Sequence, residues 1–351
     1  MKGVILAAGK GTRMLPLTER RPKPLVPVLD RPMLEHIVTG ARDAGVDHIA
    51  LIIGHLGDQI VDYFGDGSDL GLRIDYIWQD EPKGTGHAAL LAEEFVDGEC
   101  FFMSWGDIIV PPRNYRKVVG AFVEGDTDAV LSLNWVEDPY EGAAVYVEDD
   151  MVAKIVEKPR KGTATTNYNN AGLFVYTSDI FDRLRRLTPS ARGELELPDA
   201  VQEMVAEGRR IRAVALEGYW SDVARPGAVI NLNDLIMQDR YDDDCGVFIH
   251  PEATVSDDSV LKPPVYVGPG SQVNGGRIGP NVALMADCRV GSEAKVYNSA
   301  LFTGARVGPN VHMRRVVVEE GGGVARGQEL VGKDDAPLIV RPDGQVERVP
   351  K

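Results

Sequence analysis

The sequence predicts an α/β domain with a mixed, mainly parallel sheet, followed by a parallel β-helix. Three observations predict it. Over residues 1–240 short apolar runs alternate with helical patterns, the mark of parallel strands joined by crossover helices on both faces. Beyond residue 245 aliphatic residues return every six positions through a stretch dense in Gly and Pro. At 351 residues the chain exceeds what one hydrophobic core organises, so the expected domains are 1–240 and 245–325, with a tail over 333–351.

The elements follow in order. VILAA at 4–8 is a buried strand, and a helix is expected near Met33–Ala44. IALII at 49–53, a helix near Asp58–Tyr63 and LRIDYIW at 72–78 come next. Then follow a helix after Thr85, CFFMS at 100–104, a helix near Tyr115–Glu124 and AVLSLNWV at 129–136. After residue 145 the order turns strand-rich, with VYVED, MVAKIVEKP and NNAGLFVYT before helices near Ser178–Leu187 and Leu197–Glu207. That change of texture reads as a lid or wall over the strand ends of the first half, where ligands of open α/β sheets sit.

In the C-terminal part the aliphatic series is Ile249, Val255, Leu261, Val267, Val273, then Ile278, Leu284, Val290, Val296, then Leu301, Val307, Met313. Each six-residue unit makes one short strand and a turn with its aliphatic side chain inward. At three units per turn the series stacks about four coils. Pro263, Pro264, Pro269, Pro280 and Pro309 exclude long helices there. The polar segment 333–351, with a turn at Pro342–Gly344, reads as a surface tail or capping strand.

Composition narrows the function. Hydrophobic residues at 44% and charged residues at 26% are those of a globular chain. Lys and Arg total 38 against 53 Asp and Glu, a net charge of −15, which argues against general affinity for nucleic acid or anionic membranes. A phosphate ligand must therefore meet a locally basic site. Cys100, Cys245 and Cys288 lack CxxC spacing, so neither a disulfide framework nor a zinc site is expected, and a reducing cytoplasm fits. MKGVILAAGKG runs into a glycine loop rather than a cleavage site, and no stretch approaches the roughly 20 apolar residues of a membrane span.

That loop carries the chemistry. LAAGKGTRM follows a buried strand directly, so its backbone N–H groups can face an anion while Gly9 and Gly11 permit close approach. It is not the dinucleotide fingerprint, because Met14 stands where the third glycine belongs. It is not a Walker A loop, because Lys10 precedes Gly11 and no GK[ST] follows. PLT at 16–18 and RPKPLVPV at 21–28 come instead, with Arg13 and Lys23 held among prolines.

The string LAAGKGTRM…PLT…PKPLVPV resembles the signature of the sugar-1-phosphate nucleotidyltransferases, and the resemblance covers residues 1 to about 240. It implies a Rossmann-like nucleotidyltransferase domain, with the hexapeptide repeats forming a left-handed β-helix. It also implies that a nucleoside triphosphate and a sugar 1-phosphate are joined with release of pyrophosphate. Leu6, Ala7, Ala8, Gly9, Gly11 and Thr12 would cradle the nucleotide, and Gln79, with Gly84 and Thr85 of GTGHA, would read the base. Thr85 also starts a helical pattern, so N-capping is its simpler role.

Asp107, after the CFFMS strand, and Asp222, in YWSDVARP with Trp220, resemble the family's metal aspartates. Two carboxylates suffice for Mg2+, which takes its other ligands from water and substrate phosphates. Ala224, Arg225 and Pro226 depart from the family's GTP at that place. EKP at 157–159 resembles the sugar-phosphate element, with Glu157 on sugar hydroxyls and Lys158 on the phosphate. NAG at 170–172 resembles the family's sugar-binding turn, which would put Asn170 on the sugar, and Gly142 would leave room for the ring.

The implied reaction is a direct in-line displacement, with Arg13, Lys23 and Asp107 as the catalytic residues and no covalent nucleophile. The GTGHA form favours UTP, with dTTP or GTP as alternatives. Two other readings are an acyltransferase in the β-helix, drawing on His250 or His312, and a non-catalytic nucleotide-sugar sensor. Stacked coils leave faces that pair between chains, so a homo-oligomer is expected.

Overall fold

The computed structural model describes residues 1–241 and 246–349; Cys245, the Asp242–Asp244 run and the last two residues of the tail lie outside the described residues. Contacts divide the chain into two compact units. One comprises Met1–Lys10 and Leu34–Trp220, the other Gly11–Met33 and Ser221–Lys351. The segment holding Arg13 and Lys23 thus packs with the C-terminal part of the chain.

The first unit is built on a nine-stranded mixed sheet. Its order is Arg73–Trp78, His48–Ile53, Lys2–Leu6, Phe101–Trp105, Tyr168–Tyr176, Ala129–Trp135, Ile211–Ala215, Met151–Glu157 and Ala143–Glu148. The first four are parallel, and the three inner ones read as near-continuous apolar runs, as strands covered on both faces do, whereas Arg73–Trp78 at the edge carries Arg73 and Asp75. Tyr168–Tyr176 runs antiparallel to both neighbours, and the last two strands form an antiparallel pair. Helices Met33–Asp43, Gly57–Phe64, Arg113–Val123 and Leu197–Ala206 match the expected ones, whereas the helix expected near Ser178–Leu187 is confined to Ile180–Leu184.

The strands after residue 143 do not form a separate lid. They extend the same sheet, because a strand as apolar as Ala143–Val145 can pair its backbone and bury its side chains only inside a sheet. Strand Ile211–Ala215 and helix Pro226–Tyr241 were not anticipated. The helix buries Val229, Ile230, Leu232, Asn233, Ile236 and Met237 on one side, but the polar Asn233 lies on that side and the exposed Leu235 on the other, which blurs the apolar stripe.

In the second unit the hexapeptide repeats form a left-handed parallel β-helix whose inward side chains stack rung on rung. Val267, Leu284, Leu301 and Val318 line one face, ending on Val340; Ile249 is in register with them but is exposed rather than inward as expected. Val255, Val273, Val290, Val307 and Val324 line the second. Leu261, Ile278, Val296, Met313 and Leu330 line the third. The described strands make five coils rather than about four. The fifth was hidden because Val324 and Leu330 lie among glycines and charges in EEGGGVARGQEL, where the aliphatic signal is sparse. Leu338–Val340 then adds a parallel strand, and Val346–Arg348 folds back on it as an antiparallel hairpin.

Candidate active site

In the first unit, strands Lys2–Leu6 and Phe101–Trp105 lie side by side with Leu6 opposite Trp105, so the glycine loop and Asp107 leave neighbouring carboxyl ends. The Gly106 amide donates to the Leu6 carbonyl at 2.9 Å, and that of Ala7 to Ile52 at 2.8 Å, which fixes both departures. Ala8 is half-buried, Gly9 and Lys10 are exposed, and Asp107 is half-buried.

Gln79 directly follows strand Arg73–Trp78 and is 8% exposed. Its Nε2 donates to the Gly84 carbonyl at 3.3 Å and meets Nδ1 of His87 at 3.0 Å, so the amide is oriented from two sides. His87 was not among the predicted residues. Its signal was present in GTGHA, where His87 is a side chain with ring nitrogens on the next helix after Gln79. Thr85 does cap a helix, but not its own: its hydroxyl accepts from the Leu197 amide at 3.1 Å, opening helix Leu197–Ala206. Gly84 holds the N-cap position of Thr85–Leu90.

The predicted sugar-end residues also gather in this unit. The Lys158 amide donates to the Gly142 carbonyl at 2.8 Å. A Cβ on Gly142 would lie 2.1 Å from Oδ1 of Asn169, so glycine is required there by a neighbouring side chain. Asn169 donates to Oδ1 of Asn134 at 3.0 Å and to the Asn170 carbonyl at 2.9 Å. Asn170 is 1% exposed; its Oδ1 accepts from the Gly172 amide, while its Nδ2 has no partner among the described residues. Asn170 and Ala171 lie not in a turn but within strand Tyr168–Tyr176, where its register shifts, and Trp220 donates its indole N–H to the Ala171 carbonyl at 2.9 Å, steadying that irregularity.

Glu157 ends strand Met151–Glu157 and pairs with Arg192 at 3.2 Å, and Arg192 also grips the buried Glu196 at 2.6 Å. Burial first, and the charge of Glu196 second, push the Glu157 carboxyl up to about 7 against the pull of Arg192. Lys158 keeps its ammonium 3.9 Å from that carboxylate. Arg192 and Glu196 lie in ARGELELP, which carried no motif in the sequence.

In the second unit, Gly11 has φ of 64°, and a Cβ there would lie 2.8 Å from Cβ of Lys23. The Gly11 carbonyl accepts from the Thr18 hydroxyl at 2.9 Å. Lys23, only 7% exposed, holds its Nζ 3.6 Å from Oδ1 of Asp222. Thr12 and Arg13 lie exposed on the short turn Thr12–Met14.

Comparison with known proteins decides the family. The nucleotidyl transferase family matches residues 2–239, and the GlmU-like C-terminal hexapeptide family matches residues 247–337. The chain belongs to the nucleotidyl transferase family. Among its relatives, the low-salt glycan biosynthesis nucleotidyltransferase Agl11 of Haloferax volcanii is 33% identical, over 88% of this chain and 94% of its own. The bifunctional protein GlmU of Methanococcus maripaludis is 32% identical over 88% and 74%. The glucose-1-phosphate thymidylyltransferase of Streptomyces griseus is 32% identical over 88% of each. Members of this family act on a nucleoside triphosphate and a sugar 1-phosphate, and generally use a divalent metal.

The donors in hand suit a hard divalent cation. Among the described residues no cluster of three His, Cys, Asp or Glu side chains exists that would hold an ion by itself. The predicted ligands, Asp107 and Asp222, are carboxylates that leave the remaining positions to water and phosphate oxygens. Cys100 and Cys288 are free thiols, and no described helix is long and apolar enough to cross a membrane.

Proposed function

We propose that this chain transfers a nucleotidyl group from UTP, or in second place dTTP or GTP, to a sugar 1-phosphate. The observation that carries the reading is the Lys23–Asp222 pair. The buried cation of the signature loop is held against the carboxylate assigned to the metal, within the unit that also carries Arg13. A phosphate oxygen of the sugar 1-phosphate forms a bond to the α-phosphorus, the bond from that phosphorus to the β-phosphate oxygen breaks, and pyrophosphate leaves with its electrons.

Arg13 and Lys23 bind the triphosphate and neutralise charge that grows on the leaving group. Gln79, with its N–H end fixed by Gly84 and His87, offers its amide oxygen to an imide N–H of the base, a match for uracil. Leu6, Ala7, Ala8, Gly9, Gly11 and Thr12 supply the backbone of the cradle. At the sugar end Lys158 holds the attacking phosphate, Glu157 accepts from hydroxyls, and the unsatisfied Nδ2 of Asn170 donates to a sugar oxygen. Mg2+ on Asp107 and Asp222 would supply charge neutralisation between the two phosphates.

The free thiols support a cytoplasmic location, and the stacked coils support a homo-oligomer. One observation favours a second activity: the match of 247–337 to a hexapeptide domain of the GlmU type suggests an acyltransferase. Against that, His250 is committed to its own turn, with Nδ1 accepting from the Glu252 amide at 3.2 Å.

A panel of nucleoside triphosphates against sugar 1-phosphates with magnesium, scored by pyrophosphate release, tests the reading. Release is expected with UTP, and Arg13→Ala should lower turnover by about 10²–10³-fold, as the loss of a transition-state donor does. Release from no pair would leave the sensor, and acetyl-CoA consumption without UTP would leave the acyltransferase.

A further inference from the structure

We propose that Arg341, on the C-terminal hairpin of the β-helix, is a positioning residue for the triphosphate-binding segment Gly11–Met33, acting through Glu19 with Glu320 and Arg21 as a second clasp. The proposal rests on the reading above, in which Arg13 and Lys23 hold the triphosphate.

The segment has little structure of its own. Between Gly11 and Met33 it contains two three-residue 3-10 turns, Thr12–Met14 and Lys23–Leu25, and two strands of two residues each, Pro27–Val28 and Arg31–Pro32. Neither a helix nor a sheet of any size sets where Arg13 and Lys23 stand, so anchors must. Its C-terminal end is tied to helix Pro226–Tyr241, where the Leu29 amide donates to Oδ1 of the buried Asn233 at 2.8 Å and Arg240 pairs with Asp30 at 3.2 Å.

Its middle, residues 19–21, lies between Arg13 and Lys23 in sequence and is tied to the β-helix. Arg341 donates to the Glu19 carboxylate and, through Nη1, to Glu347 at 2.7 Å, with Glu319 at 4.0 Å. Arg21 donates to Glu320 at 3.1 Å and sets its guanidinium 5.7 Å from the ring of the fully buried Phe302.

Two features raise these contacts above ordinary surface pairs. The Arg341 side chain is 16% exposed, and two carboxylates other than Glu19, those of Glu347 and Glu319, hold its guanidinium in place toward Glu19. Glu319, Glu320 and Arg341 belong to the last coil and the hairpin that closes it, elements rigid through their ladder bonds. The tail of the β-helix thereby lends the segment stiffness that its own sequence lacks. Binding is strengthened when a phosphate-gripping segment is ordered beforehand rather than at the expense of binding energy.

The test uses the full chain and steady-state kinetics with UTP, a sugar 1-phosphate and magnesium. Arg341→Ala and Glu19→Gln are each expected to raise KM for UTP about tenfold, with KM for the sugar 1-phosphate unchanged. The double variant should be no worse than either single one, and Arg341→Lys should recover part of the loss. A merely structural role would lower the melting temperature and the active fraction but leave the KM of the folded enzyme alone.

UTP kinetics within twofold of wild type in Arg341→Ala, or in Glu19→Gln where Arg341→Ala does not fold, would overturn the proposal. Arg13→Ala separates the two layers. If it too retains full activity, the functional reading itself fails; if it loses activity while the Arg341 and Glu19 variants do not, only the positioning role fails.

Discussion

Lys23 and Asp222 face each other at 3.6 Å, although 198 intervening residues separate two side chains that one unit brings together. Lys23 is almost fully buried, whereas the Asp222 side chain is 36% exposed. The lysine thus covers one side of the aspartate and solvent reaches the other, where the proposed reaction would need a metal.

Asp222→Asn should separate those duties. Solvent screens the exposed partner, so the stability loss is expected to be modest, about 1 kcal/mol. Turnover should fall much further, by about 10²-fold or more, and excess magnesium should not restore it. Thermal unfolding and pyrophosphate release across a metal titration measure the two effects. Near-normal turnover with a large stability loss would make Asp222 a structural counter-ion only.

Glu157 gives a pH dependence. Its carboxyl lies near 7 in the folded chain, above its ordinary 4.5, because it is buried beside Glu196. Between those values the folded chain holds a proton that the unfolded chain releases, so this group's contribution to stability falls as pH rises through the window. Its ability to accept hydrogen bonds from a sugar runs the other way and grows with ionisation. KM for the sugar 1-phosphate should fall severalfold between about pH 6 and pH 8, and Glu157→Gln should flatten the change. A Gln variant with the wild-type slope would assign the titration to another group.

His87 gives a test of base selection. Losing its contact with Gln79 removes one of two hydrogen bonds that orient the amide, worth about 1 kcal/mol. His87→Ala is expected to narrow the ratio of kcat/KM between UTP and GTP by about 3- to 10-fold. Gln79→Ala should narrow it further and weaken all triphosphates less than it weakens UTP. Unchanged ratios in both variants would place base recognition elsewhere.

How far the sequence could be read varied with how local the signal was. Parallel strands such as Lys2–Leu6 and His48–Ile53 announce themselves as apolar runs, and the β-helix does so by its six-residue period, because each inward side chain is dictated by the one beneath it. Helix Pro226–Tyr241 was hidden because the buried Asn233 on its inner side and the exposed Leu235 on its outer side weaken the contrast between apolar and polar faces. At the site, Gln79, Lys23 and Glu157 were named from motifs. Their supporting partners are less legible: His87 lies within a motif whose spacing does not single it out, and Arg192 and Asn169 reach their places only through tertiary packing. The assignment of Gly11–Met33 to the second unit was likewise unreadable, because it depends on pairs such as Glu19 with Arg341 that no spacing rule connects.

Gly11 joins backbone strain to function. Its φ of 64° is open to glycine but costs another residue about 1–2 kcal/mol, and any Cβ would press on Cβ of Lys23 at 2.8 Å. Lys23 cannot simply yield, since it is buried against Asp222 and follows Pro22. Gly11→Ala should therefore lower stability by about 1–2 kcal/mol and shift Lys23, raising KM for UTP if the lysine meets the triphosphate as proposed. Gly9 has no atom within 4 Å of a Cβ position and no positive φ, so Gly9→Ala is the matched control. If the two variants weaken UTP binding equally, the effect arises from the phosphate cradle itself rather than from displacement of Lys23.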